Sequence, residues 1–284
     1  MKLSKIFALL LALCLISSAA CAATFTDAHG NVIELDDSLE AYAAVTLVGA
    51  DNAARQGETN LGDLWADALR WFAVSGEINA AFDEDDVKAG NDRIAVDADH
   101  VVALWNGGNL RADIAEGTFG AEALAEVLPF PNKVAVVYMT GAQLLETLEA
   151  ASQGLPYTAE TADACASLMQ VSGLTYTVDT AKAYDALEAY GDHWFTAGSV
   201  SRVRIDDVNG QPFDAEATYA VVTSNANFNG MDSSYVLKAA AEANEQSAVT
   251  TAVVRDVVFR FLAAELNNQV GEAYAAPQGR LTVL

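Results

Sequence analysis

Arg111 closes the run Asn106-Gly107-Gly108-Asn109-Leu110-Arg111, which sets a guanidinium beside a glycine turn. Exposed backbone N–H groups next to a rigid fork of donors suit a phosphate or carboxylate. The competing reading is an arginine paired with Asp113 or Glu116. Phe130 lies between Pro129 and Pro131. The prolines stiffen the backbone and so preorganise one ring face for a planar ligand, although a phenylalanine in that setting also reads as plain core. Asn132 can donate and accept at once, or cap the adjoining strand turn. Cys165 has no plausible base nearby in sequence and reads as a small buried hydrophobe. No P-loop, dinucleotide fingerprint or supported Ser-His-Asp arrangement occurs, so no catalytic residue is assigned.

The charge balance makes each arginine informative. The chain carries a formal charge of -24, and loss of Lys2 and Lys5 with a cleaved leader would take it to -26. Such a surface repels nucleic acid and anionic lipid at long range, so an anionic ligand needs locally placed arginines. Residues 1–22 have the layout of a secretory signal: two lysines, an apolar run from Ile6 to Ile16, then small residues. Secretion or another extracytoplasmic location is therefore expected. Cleavage after Ala22 fits an A-x-A pattern, whereas cleavage before Cys21 would make a lipoprotein. Beyond the leader no apolar stretch approaches the roughly 18 residues that cross a bilayer, so no transmembrane segment is expected.

The elements that must position these residues follow from periodicity. Residues 24–36 alternate about His29-Gly30-Asn31 as a hairpin, within an N-terminal extension over 23–50. Leu61, Leu64, Trp65, Ala68, Leu69 and Phe72 form one helical face, capped by Thr59 or Asn60. The acidic run 83–86 reads as a solvated loop. Val101 to Trp105 is a buried strand entering the glycine turn, and a short helix fits 120–127. Strand 134–139 leads to a helix opened by a Thr140/Gln143 capping box. Strands are expected at 170–178, 200–206 and 218–223 as one sheet system, then a loop over 224–232, a helix over 253–266 and a last strand at 281–284. Strands and helices intermingle without strict alternation, so the fold class is α+β, a mixed β-sheet system with packed helices, in one domain over 51–284.

Six segments in this order carry a resemblance: ETNLGDL at 58–64, NGGNLR at 106–111, LPFPN at 128–132, MTGAQL at 139–144, QVSGLTY at 170–176 and the asparagine-rich loop ending at Asp232. Together they resemble the C-terminal, substrate-recognition domain of the 5'-nucleotidase and UDP-sugar hydrolase family, from about Arg55 to Leu284. The resemblance implies a domain that stacks a base between two aromatic rings and holds ribose and phosphates by arginine and aspartate. Carried over residue by residue, it assigns Arg55 and Arg111 to anion binding, with Asn106, Gly107 and Gly108 as the turn. It gives Phe130 one stacking face, Asn132 the base edge and Asp232 the ribose hydroxyls. Three positions depart from the pattern. Asp51 stands where some members carry another arginine, Ala226 replaces the second stacking ring, and Met231 replaces a glycine. Phe228, two residues past Ala226, is the candidate replacement ring.

In that family two metal ions on a separate N-terminal domain perform the hydrolysis, through a cluster of histidine, aspartate and asparagine ligands. Here the histidines are His29, His100 and His193, without G-N-H-D, G-N-H-E or G-H-x-H segments. Asp27-Ala28-His29 matches one D-x-H element but lacks companions, and Gly90-Asn91-Asp92 lacks the histidine. No metal and no cofactor is therefore assigned to this chain. The expected partner is a nucleotide or nucleoside. Two further readings stand beside that one: a recognition subunit completed by a separate metallophosphatase chain, and an extracellular interaction module that has kept the fold and lost the ligand.

Overall fold

A computed structural model describes residues 23–26, 32–35, 40–82, 94–190 and 193–284. The expected signal over 1–22, the Asp27 to His29 element, the acidic run 83–86 and Gly90-Asn91-Asp92 lie outside the described residues. Strand β1 (Ala23–Thr26) pairs antiparallel with β2 (Val32–Leu35), as the alternating pattern predicts. The extension expected over 23–50 does not reach residue 50. Strand β3 (Glu40–Ala43) pairs with residues 117–120 and 269–270, and its Ala41 and Ala43 enter the core. The two alternating alanines leave room for that packing, and the body begins at residue 40.

Helix α1 (Ala53–Gln56) is a single turn, and α2 (Asn60–Val74) follows. Thr59 caps α2, its hydroxyl accepting from the Gly62 N–H at 3.0 Å. The six apolar residues picked out by spacing are all fully buried. Strand β4 (Val101–Asn106) is buried at every position; β5 (Gly117–Gly120), α3 (Ala121–Val127) and β6 (Lys133–Thr140) come next. Helix α4 (Gly141–Ala151) opens with the expected capping box. The strand expected over 170–178 is instead two, β7 (Met169–Ser172) and β8 (Leu174–Val178), because the chain turns out of its sheet at Gly173. Strands β9 (Ala186–Tyr190) and β10 (Trp194–Ala197) form an exposed hairpin. After β11 (Val203–Val208) and β12 (Thr218–Ser224), a short helix α5 (Asn225–Phe228) occupies part of the expected loop. The chain ends with α6 (Tyr235–Ala243), β13 (Ala248–Val253), α7 (Val254–Leu266), β14 (Gln269–Val270) and β15 (Leu281–Val283).

The central sheet has the order β13-β6-β12-β4-β7, with β4 and β12 parallel and the other neighbours antiparallel. Its side chains alternate between two cores. Val101, Ala103, Trp105, Val136, Ala220 and Val222 face a core shared with α2 and α7. Val102, Leu104, Val137, Met139, Val171 and Val221 face another shared with α4 and with β8. The single sheet system expected from sequence is thus several: β11-β8-β15 roofs the second core, and β14-β3-β5 forms a further sheet. A central sheet already covered on both faces takes in no further strands except at its edges, so the later strands build separate layers. The α+β class holds. The ends of β4 and β12 and the start of β6 open at one edge of the central sheet.

Candidate functional site

Arg55 is placed by a buried glutamine. From β7, the Gln170 amide donates to the Ala54 and Gly57 carbonyls at 3.0 and 2.9 Å, and its oxygen accepts from the Thr59 N–H at 3.0 Å. These three bonds pin α1 against the end of the central sheet. Gly107 permits the close approach from the other side. A Cβ there would lie 1.9 Å from the Ala54 carbonyl oxygen, so no larger residue fits. The QVSGLTY and NGGNLR segments therefore act together to hold Arg55. The guanidinium is nearly buried, with Nη1 donating to the Ala162 carbonyl at 2.9 Å and 3.8 Å from Asp163.

Within the glycine turn, the Gly107 N–H is taken up inside the protein and is not offered to a ligand. Gly107 donates to the Leu168 carbonyl at 2.7 Å, and Gly108 lies against Ala166. Asn106 is fully buried and serves as a bridge: its oxygen accepts from Asn109 and its amide donates to Asp232, both at 2.8 Å. Asn106 thus positions the carboxylate instead of reaching outward.

Asp232 ends a loop braced by its own side chains. The Ser224 hydroxyl accepts from the Asn227 N–H, and the Asn227 amide donates to Ser234 at 2.8 Å. The left-handed backbone positions are Gly230 at φ 87, Asp232 at φ 48 and Ser233 at φ 51. The glycine that this turn requires is therefore Gly230, and Met231 stands where a side chain is tolerated. Burial pushes the Asp232 carboxyl above the usual range, while Arg55 and Arg111 pull it back. Burial lowers the Arg111 guanidinium, Arg55 lowers it further and Asp232 opposes both. Arg55, Arg111 and Asp232 thus share one electrostatic neighbourhood, which the sequence reading had predicted only through resemblance.

Arg111 is not drawn to Asp113, whose carboxylate accepts from the Gly49 and Ala50 N–H groups at 2.8 Å. Its guanidinium carbon lies 5.8 Å from the centre of the Phe130 ring, at the outer range of a cation–π contact. Phe130 is half-buried against the core shared with α2 and α7. Phe228 packs against the opposite core. The two rings belong to different faces of the central sheet, so they are not paired across a common core. Asn132 is buried, and its carbonyl accepts the Val254 N–H that opens α7 at 2.9 Å.

A cavity of about 610 Å³ lies beside Arg55 and Asp232, with Asp163, Tyr190, Trp194 and Met231 among its walls. The hairpin β9–β10 supplies the aromatic wall. It is tied down by the Tyr190 hydroxyl donating to the Gly230 carbonyl, by the Phe195 N–H to Gln153 at 2.9 Å, and by the Ala197 N–H to the Tyr235 hydroxyl at 3.0 Å. Sequence reading passed over this hairpin. The signal was present, since Tyr190, His193 and Trp194 cluster within five residues of a polar connection. Among the described residues no group of three or more histidine, cysteine or acidic side chains is placed to hold a metal. His100 packs on Tyr219 and His193 on Trp194. Cys165 is fully buried, and burial pushes its thiol up.

The covered central sheet thus has a polar edge that opens on a cavity of about 610 Å³. Residues 40–239 match the model of the 5'-nucleotidase, C-terminal domain, and the chain belongs to that family. It is similar to the trifunctional nucleotide phosphoesterase protein YfkN of Bacillus subtilis, 28% identical over 188 residues, which are 65% of this chain and 10% of that protein. Among solved structures it is similar to a 5'-nucleotidase precursor from Thermus thermophilus, with 29% identity, a TM-score of 0.62 and coverage of 86% of this chain and 39% of that one. The Haemophilus influenzae NAD nucleotidase shares the fold at 15% identity and a TM-score of 0.57, over 86% of this chain and 38% of that one. The chain thus spans well under half the length of these relatives.

Proposed function

We propose that this chain is an exported recognition module that binds a nucleotide or nucleoside. The observation that carries the reading is the convergence of Arg55, Arg111 and Asp232 at one sheet edge, beside a cavity whose volume suits such a ligand. Membership of the 5'-nucleotidase C-terminal family supports the ligand class. The leader-like residues 1–22 support export, and among the described residues no helix is long and apolar enough to cross a membrane.

Titration calorimetry with AMP, adenosine and UDP-glucose tests the reading. Saturable heat is expected with at least one of them. Removal of a charge-assisted hydrogen bond by Arg111→Ala is expected to weaken whichever ligand binds by about tenfold, in line with roughly 1.5 kcal/mol for such a bond. Absence of heat with all three up to millimolar concentration overturns it.

A second reading starts from membership of the 5'-nucleotidase C-terminal family. In that reading a separate metallophosphatase chain docks here and the pair hydrolyses phosphate esters. Phosphate release from AMP by the two proteins mixed with manganese or zinc, and by neither alone, is the expected result.

A further inference from the structure

We infer that the cavity selects a nucleoside over its 5'-phosphate, and that the β9–β10 hairpin supplies the stacking face through Trp194. This rests on the nucleotide or nucleoside reading above and narrows it. Three observations carry it.

The first is charge. Arg55 lies 3.8 Å from Asp163, and Asp232 stands between the fields of Arg55 and Arg111. Two guanidinium groups are thus set against two carboxylates, all within one small region. A phosphate entering it meets no net positive charge, and the surface beyond carries the strongly acidic balance of the whole chain. A neutral ligand loses nothing in that field. A ribose diol, which donates two hydroxyl protons, is the complement of the Asp232 carboxylate, whose one oxygen accepts from Asn106 and leaves capacity on the cavity side.

The second is that the ring face at Phe130 is occupied. Arg111 already lies over it, and the replacement ring expected at Phe228 packs into the other core. A base entering between those rings would have to displace the guanidinium on one side and would find no partner on the other.

The third is the hairpin. Tyr190 and Trp194 are paired residues of β9 and β10, and both line the cavity that Asp232 and Arg55 close. The Tyr190 hydroxyl fixes the hairpin to the same loop that carries Asp232, through Gly230. The stacking surface and the ribose acceptor are therefore held in one mechanical unit. Stacking on an aromatic side chain is tolerant of base identity, so both purine and pyrimidine nucleosides fit.

Calorimetry and tryptophan emission on the full chain decide the matter. Trp65 and Trp105 are fully buried, and the Trp71 indole N–H is tied to Glu265, so a ligand-dependent emission change reports chiefly on Trp194. Adenosine is expected to bind several-fold more tightly than AMP and to shift the emission. Trp194→Ala is expected to weaken adenosine roughly tenfold, and Trp194→Phe to keep most of the affinity while abolishing the emission change. Far-ultraviolet circular dichroism establishes that both variants fold, which the hairpin's exposed position favours. AMP binding as tightly as adenosine, or more tightly, overturns the selectivity. Unchanged adenosine affinity in Trp194→Ala overturns the stacking role while leaving the broader reading intact. No binding of either ligand to the parent protein overturns the broader reading, and this inference with it.

Discussion

Two polar clusters flank α2 and its approach, and they differ in what closes them. Around Glu58, Asp63 and Asp67, the C-terminal segment supplies most of the donors, leaving Asp63 Oδ1 with only the Arg280 guanidinium at 3.8 Å. The Gln278 N–H donates to Glu58 and Asp63 at 2.8 and 3.1 Å, the Leu281 N–H to Glu58 at 3.0 Å, and the Arg280 guanidinium and Tyr274 hydroxyl to Asp67 at 2.8 and 2.9 Å. Asp63 is wholly inaccessible to solvent. Around Asp232 the chain supplies Asn106 on one side and leaves a cavity on the other. Buried polar groups need partners, and where the chain provides them the cluster serves stability. Where it stops short beside an open cavity, the remaining capacity is available to a ligand.

The sharpest way to break that distinction is to open the closed cluster. Arg280→Ala removes the cation from Asp67 and Asp63 and the donor to the Val171 carbonyl. Leaving the half-buried Asp67 carboxylate without its counter-charge costs up to about 3 kcal/mol, below the cost of breaking a fully buried pair. Urea unfolding is expected to show a loss of that order, with adenosine affinity of the remaining folded protein within twofold of the parent. Lost affinity at unchanged stability would reverse the assignment of the two clusters.

A pH series sharpens it further. Burial, with Glu58 as neighbour, pushes the Asp63 carboxyl up to about 8 against the pull of Arg280. Below about 4, folded and unfolded chains both hold this proton. Between about 4 and about 8 the folded chain keeps a proton that the unfolded chain releases. This group's contribution to stability is therefore fully present below about 4 and is lost as pH rises to about 8, at no more than ~1.4 kcal/mol per pH unit. Asp63→Asn is expected to flatten that part of the stability profile measured by unfolding at each pH. An unaltered slope would show that Asp63 is ionised in the folded protein.

The sequence disclosed the closed parts of the molecule better than the open ones. The face of α2, the Thr140 capping box and β4 were legible because periodicity and capping act over a few residues. The split at Gly173 was missed because 170–178 is apolar enough to read as one strand, and only the tertiary layers show that its halves serve different sheets. Of the proposed site, Arg55, Arg111 and Asp232 were named through resemblance; in the structure Arg55 and Asp232 line one cavity, and both act electrostatically on Arg111. Asn106 and Gly107 were named for ligand contact, and the structure gives them contacts that sequence spacing does not show, with Asp232 and Ala54. The Tyr190 and Trp194 wall was missed because an exposed hairpin carries little periodic signal, and its proximity to Asp232 is a property of the folded chain alone.

The smallest effect separates the two aromatic candidates. Phe228 and Trp194 are both half-buried rings near the same loop, yet Phe228 packs against the core shared with α4 whereas Trp194 lines the cavity. Phe228→Ala deletes core contacts from a ring that is only partly enclosed, so the cost falls below the 3–5 kcal/mol of a fully buried phenylalanine, at about 1–2 kcal/mol. Denaturant unfolding should register that loss while adenosine affinity stays within twofold. Trp194→Ala should give the opposite pair of results, because an exposed hairpin ring contributes little to folding and much to stacking. If Phe228→Ala instead weakened adenosine as strongly as Trp194→Ala, the loop ring would have to leave its core on binding. The site would then be a clamp assembled by the ligand, with the hairpin as only one of its jaws.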